Sequence, residues 1–150
     1  MPLSEQPTPR PVQILIVEDN PADARLVREV MRDSKVLNEI QWVPDGVEAI
    51  AFLRHQGKYA SAPRPNLIFL DLNMPRKDGR EVLTEIKADE SLRRIPIVVM
   101  TSSQAEEDIA RAYDQHANCY VRKPIDFQQF HEVVKSLETF WFATVELPSR

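Results

Sequence analysis

The sequence predicts an α/β fold, a parallel five-stranded sheet wound twice with helices on both faces, in a (βα)5 three-layer sandwich. Two observations predict it. Continuous, β-branched-rich apolar runs alternate with helical patterns, which calls for strands buried on both faces and joined by right-handed crossovers. The strand–helix unit also repeats five times along the chain, which gives a sheet of five parallel strands covered on both faces. The chain of 150 residues, 43% of them hydrophobic, fits one compact domain with an ordinary core.

The elements follow in order. Four prolines among the first eleven residues make 1–11 an extended lead-in, with order beginning near Val12. The run VQILIV (12–17) is the first strand, closed by Glu18 and Asp19. Asn20-Pro21 supplies an N-cap and a favoured first helical residue, and Leu26, Val27, Val30 and Met31 follow at helical spacing. EIQWV (39–43) is the second strand. VEAIAFL (47–53) opens a helix with Val47, Ile50, Ala51 and Leu53 as its apolar stripe and Gly57 as its stop. After the turn-rich KYASAPRP (58–65), NLIFLDL (66–72) is a third buried strand that reaches Asp71. Asp78 and Glu81 fit a capping box ahead of Val82, Leu83 and Ile86. IPIVVMTS (95–102) is the fourth strand, and Ser103 with Glu106 fits a capping box for a helix over 105–116. NCYVRKP (118–124) is a short fifth strand. Asp126 with Gln129 caps a last helix carrying Phe130, Val133, Val134, Leu137 and Trp141 on one stripe. The order places a domain at 12–141 and a tail at 142–150, and a flavodoxin-like doubly wound architecture accommodates it.

Composition excludes several function classes. A net charge of −4 with no basic run argues against a nucleic-acid partner. The single cysteine, Cys119, can form no intrachain disulfide and reads as a small core residue. The first residues form neither a signal core nor a transit pattern, so a reduced, cytoplasmic setting is expected. No apolar run approaches the ~20 residues that span a bilayer, so no membrane partner is expected. His55, His116 and His131 lie on unrelated elements without ligand spacing and read as surface or packing residues.

In a doubly wound sheet, ligands bind outside the carboxyl ends of the strands. Those ends carry Glu18, Asp19, Asp71, Thr101 and Lys123. Crowded carboxylates repel and raise a pKa unless a cation neutralises them, and an oxygen-only donor set with no nearby His or Cys favours a hard divalent ion such as Mg²⁺. Lys123 supplies a positive point charge and Thr101 a short hydroxyl, which together suit an anion held near the metal. A carboxylate that attacks phosphorus acquires oxygens needing just these groups, and Asp71, on the central strand, is the natural nucleophile. Blander readings compete: the acidic pair fits a helix N-terminus, Asp71 a loop acid, Lys123 a solvated charge and Thr101 a cap.

The strings VEDNPAD, IFLDLNMPRKDG, IVVMTSS and YVRKP, in this order and spacing, resemble the receiver domains of two-component response regulators over about 12–140. The resemblance implies that Asp71 accepts a phosphoryl group from the phosphohistidine of a histidine kinase. It implies that Asp19, Asp71 and the backbone carbonyl of Asn73 bind Mg²⁺, for which Mn²⁺ can substitute. Glu18 acts there through water or directly; many relatives have Asp at that place. Thr101 and Lys123 are implied to bind phosphoryl oxygens, Lys123-Pro124 to be cis, and Tyr120 to be the switch aromatic, a position that equally suits a packed ring. The protein is then a phosphoacceptor switch that assists its own phosphoryl transfer and dephosphorylation, rather than an enzyme acting on another substrate.

About ten residues follow the last helix, too few for an output domain, so signalling through protein contacts with a downstream target is expected. The loop GKYASAPRPNLI and the ending LETFWFATVELP resemble the short regulators paired with bacterial and cyanobacterial phytochromes, which implies a phytochrome-type kinase as donor. Phe140, Trp141 and Phe142 are consecutive, with Val145 and Leu147 beyond; one helix face cannot bury them all, so a homodimer through the fourth and fifth units is expected, against a tail that folds back. Two rival classes fit the sequence less well. A phosphatase with an aspartyl-phosphate intermediate wants a second acid two residues past the nucleophile, where Asn73 stands, and a pseudo-receiver would have lost an acid or the lysine.

Overall fold

A computed structural model describes residues 10–74, 76–102 and 119–144, and the side chains of all of these except 120 and 139–144. The expected helix over 105–116, its Ser103–Glu106 capping box, His116 and the segment beyond 144 lie outside the described residues.

The strands are β1 (Val12–Val17), β2 (Asn38–Val43), β3 (Leu67–Asp71), β4 (Ile97–Thr101) and β5 (Cys119–Arg122). All pair in parallel, in the order β2-β1-β3-β4-β5. The helices are α1 (Pro21–Arg32), α2 (Gly46–Leu53), α3 (Gly79–Ala88) and α4 (Phe127–Thr144), with a 3-10 turn at Gly57–Tyr59. Alternate residues of each central strand enter opposite cores. Leu15, Val17, Ile68, Leu70, Ile97 and Val99 meet α2 and α3, whereas Ile14, Ile16, Leu67, Phe69, Val98 and Met100 meet α1 and α4. Burial on both faces is why these strands read as unbroken apolar runs. The chain leaves β1 for β2 on one side and returns to β3 on the other, so the direction of winding reverses between β1 and β3. Glu18 and Asp71 flank that reversal.

The strands begin or end up to two residues away from the expected bounds. Larger departures occur at α2. Asp45 accepts a hydrogen bond from Glu48 N at 2.9 Å and starts the helix at Gly46. The buried face is then Gly46, Ala49, Ile50, Phe52 and Leu53, while Val47 is 40% exposed and Ala51 only half-buried. The helix also stops before Gly57. His55 takes φ 57°, with His55 N donating to Phe52 O and Gln56 N to Ala51 O, a Schellman closure built on a non-glycine residue. The other caps form as the sequence predicts. Asn20 caps α1, Asp78 and Glu81 form a reciprocal capping box on α3, and Asp126 accepts from Gln129 N at the start of α4. Cys119 is half-buried against the α1/α4 core, and burial pushes its thiol pKa up.

Candidate functional site

The carboxyl ends of β1, β3, β4 and β5 converge on Lys123. Its ammonium lies 2.8 Å from Glu18 Oε2, 3.0 Å from Asp23 Oδ2 and 3.3 Å from Asp71 Oδ2. The peptide bond to Pro124 is cis, and Lys123 N donates to Thr101 O at 2.8 Å. Glu18 is fully buried, Asp71 and Thr101 are 1% exposed, and Asp19 is exposed at the mouth.

Each group is oriented by the chain beneath it. Glu18 Oε2 also accepts from Asn20 N at 3.1 Å, the residue that caps α1, so the acidic turn and the helix start are one hydrogen-bonded unit. Asp71 Oδ1 accepts from Asn73 N at 3.0 Å. Asn73 Oδ1 in turn accepts from Thr101 Oγ1 at 2.9 Å and Ser102 N at 3.2 Å, bridging the loop after β3 to the end of β4. Gly79 is the floor of the site: a Cβ there would sit 2.3 Å from Asp71 O and 2.5 Å from Leu72 Cα. The close approach of α3 to the backbone of Asp71 therefore needs glycine.

Electrostatics follows from burial. Desolvation raises the Glu18 carboxyl to about 7, the Asp71 charge adds to the rise, and the hydrogen bond from Lys123 opposes it. Asp71 is also pushed above the usual carboxylate range, mainly by burial, against the Asn73 N–H and the Lys123 charge. Burial alone would lower Lys123, but Glu18, Asp71 and Asp23 outweigh it and push its pKa up to about 12. Lysine is thus held charged, while its acidic partners resist the full negative charge that geometry forces on them.

Carboxylate oxygens of Glu18, Asp19 and Asp71 lie within 4.8 Å of one another. Glu18 Oε1 is buried with no hydrogen-bond partner among the described residues. An acceptor-only cluster with an orphaned buried oxygen fits a hard cation, as its chemistry suggests.

Of the expected site residues, Glu18, Asp19, Asp71, Asn73, Thr101 and Lys123 come together. Tyr120 pairs with Val99 in the sheet, and its side chain lies outside the described residues. Sequence reasoning did not single out Asp23, Ser102, Gly79 or Trp42, whose Nε1 donates to Glu18 O at 2.7 Å. Asp23 is the acidic residue in the first turn of α1, just after the acidic pair, and that position at the helix start could have signalled it. Gly79 opens a helix rather than a turn, which hints at close packing. Trp42 gave no signal.

Comparison with known proteins identifies the family. Residues 14–135 match the family of response regulator receiver domains. The response regulator Rcp1 of Synechocystis sp. is 48% identical over 147 residues, covering 98% of this chain and 99% of its own. Among solved structures, the phosphorylated cyanobacterial phytochrome response regulator RcpA aligns with a TM-score of 0.80 at 51% identity, over 90% of this chain and 96% of that one. The Mn²⁺-bound form of Rcp1 aligns with a TM-score of 0.79 at 49% identity, over 89% and 96%. Fold, strand-end constellation and these similarities agree, and the chain belongs to the response regulator receiver domain family.

Proposed function

We propose that Asp71 is the phosphoacceptor of a switch charged by a histidine kinase, of the phytochrome type, in the cytoplasm. The observation that carries this reading is the placement of one buried lysine within 3.3 Å of Asp71 and 2.8 Å of Glu18, beside the Asn73–Thr101 bridge. Glu18, Asp19, Asp71 and the carbonyl of Asn73 are the residues that would hold Mg²⁺, or Mn²⁺ in its place. Bound there, the ion neutralises charge on the carboxylates and on phosphoryl oxygens.

The chain's own groups do the rest. An Asp71 oxygen forms the new bond to phosphorus as the bond to the kinase's imidazole nitrogen breaks; that nitrogen keeps the electron pair and takes a proton. Lys123 then has a phosphoryl oxygen to bind in addition to its carboxylates. Thr101 exchanges its bond to Asn73 Oδ1 for one to the phosphoryl group, and the end of β4 moves with it. Tyr120 responds as the switch aromatic. The same residues assist hydrolysis of the acyl phosphate, and output passes through protein contacts, with a homodimer as the signalling species. The similarity to the phytochrome regulators RcpA and Rcp1 supports the choice of donor.

Phosphotransfer tests the reading. A phytochrome-type kinase, autophosphorylated on histidine and freed of ATP, should lose its label to this protein within minutes when Mg²⁺ is present and keep it when EDTA is added. Label retained by the kinase under both conditions would overturn it.

A further inference from the structure

We propose that Trp42 is a positioning residue for the metal site, its indole N–H fixing the turn that carries Glu18 and Asp19. The inference rests on reading that carboxylate cluster as a cation site. Trp42 sits on β2, the edge of the sheet, opposite Ile16 of β1, and remains 41% exposed. A core role would have buried that ring. Its N–H instead spends its one donor on the carbonyl of Glu18, at 2.7 Å. Glu18 N donates to Val43 O at 3.1 Å, so adjacent residues of β2 hold the main chain of Glu18 at both its N–H and its C=O.

Peptide planarity carries this hold to Asp19. The carbonyl oxygen of Glu18 and the N–H of Asp19 belong to one rigid plane, so fixing the first restricts the backbone direction from which the Asp19 side chain leaves. Asp19 is exposed, and among the described residues no side chain donates a hydrogen bond to it of the kind that orients Glu18, Asp71 and Asn73. Its approach to the other carboxylates is therefore set through the backbone of the turn, held on the helix side by the Asn20 cap and on the sheet side by the indole. Without that hydrogen bond the turn samples orientations in which Asp19 misses the cation, and affinity falls by the share of time lost.

The experiment measures metal binding directly, at pH 8, by calorimetric titration with Mg²⁺. Trp42→Phe keeps a ring and removes the donor. Its dissociation constant should rise about 3- to 10-fold, the value of one hydrogen bond. Leu37→Ala, an exposed change before the opposite end of β2, should bind as the parent does. In a Trp141→Phe background, Trp42 is the only tryptophan, and its emission should shift with the same midpoint as the heat signal. Binding by Trp42→Phe within about twofold of the parent, or Trp42 emission that ignores Mg²⁺, would overturn the proposal while leaving the cation site standing. A parent that takes up no Mg²⁺ would overturn both.

Discussion

Lys123 balances three carboxylates, of which Glu18 and Asp71 are buried, and its removal separates the competing accounts of the site. Breaking a buried ion pair leaves uncompensated charge and typically costs about 3–5 kcal/mol. Lys123→Ala, in Mg²⁺-free buffer at pH 8, should therefore lower unfolding stability in urea by about 3 kcal/mol, with part of the loss recovered on adding Mg²⁺. A loss no larger than that of a surface substitution would mean that the lysine is merely solvated. The acids give a complementary prediction. The Glu18 carboxyl, raised by burial from 4.5 to about 7 in the folded protein, contributes stability that is fully present below pH 4.5 and lost as pH rises through 7. Asp71 shifts in the same direction, whereas Lys123, pushed up to about 12, stays charged throughout. A cation competes with the Glu18 proton, so Mg²⁺ affinity should climb as pH rises from 5 to 8 and level off above it, with protons released into weakly buffered solution at pH 6. Affinity that is flat across this range would contradict the assignment.

At the scale of elements, helix α3 is pressed against the backbone that presents Asp71. Gly79→Ala favours the helix by propensity, yet its Cβ would meet Asp71 O at 2.3 Å, and main chain cannot rotate away. The expected outcome is a net loss of about 1–3 kcal/mol, the usual cost of overpacking, and slower phosphorylation because Asp71 moves with the strain. Thermal melts and labelling rates would check both; a variant as stable and reactive as the parent would remove Gly79 from the account. Most elements were legible in the sequence because their causes are local. Asn20-Pro21, Asp78 with Glu81 and Asp126 with Gln129 mark helix starts by their own side chains, and double-sided burial writes itself as an unbroken apolar run in β1, β3 and β4. Helix α2 was misread where the cause was tertiary. Gly46 is admitted to the helix by Asp45, where a Cβ would lie 2.2 Å from Lys77 O, and this start leaves Phe52 inward and Val47 outward. His55 accepts a left-handed backbone that periodicity would assign to glycine.

At the scale of the molecule, the site was legible as a set of strand ends but not as a network. The order of acidic pair, aspartate, threonine and lysine along the chain placed Glu18, Asp19, Asp71, Thr101 and Lys123 on one rim, since a parallel sheet brings all carboxyl ends together. What joins them was not legible. The Asn73–Thr101 bridge, the third carboxylate from Asp23 and the indole of Trp42 join residues too far apart in sequence for any local pattern to encode. Helix α4 runs to Thr144 and carries Phe140, Trp141 and Phe142 on consecutive positions of one helix, which one face cannot cover. The expected consequence is a homodimer at tens of micromolar that a truncation ending at Thr139 abolishes; light scattering that finds monomers in both chains would refute it. Whether Asp71 is the phosphoacceptor can be read by intact mass after incubation with Mg²⁺ and a small acyl-phosphate donor. The parent should gain a single hydroxylamine-labile phosphoryl group that EDTA prevents, and Asp71→Asn should gain none; equal labelling of Asp71→Asn would contradict the account.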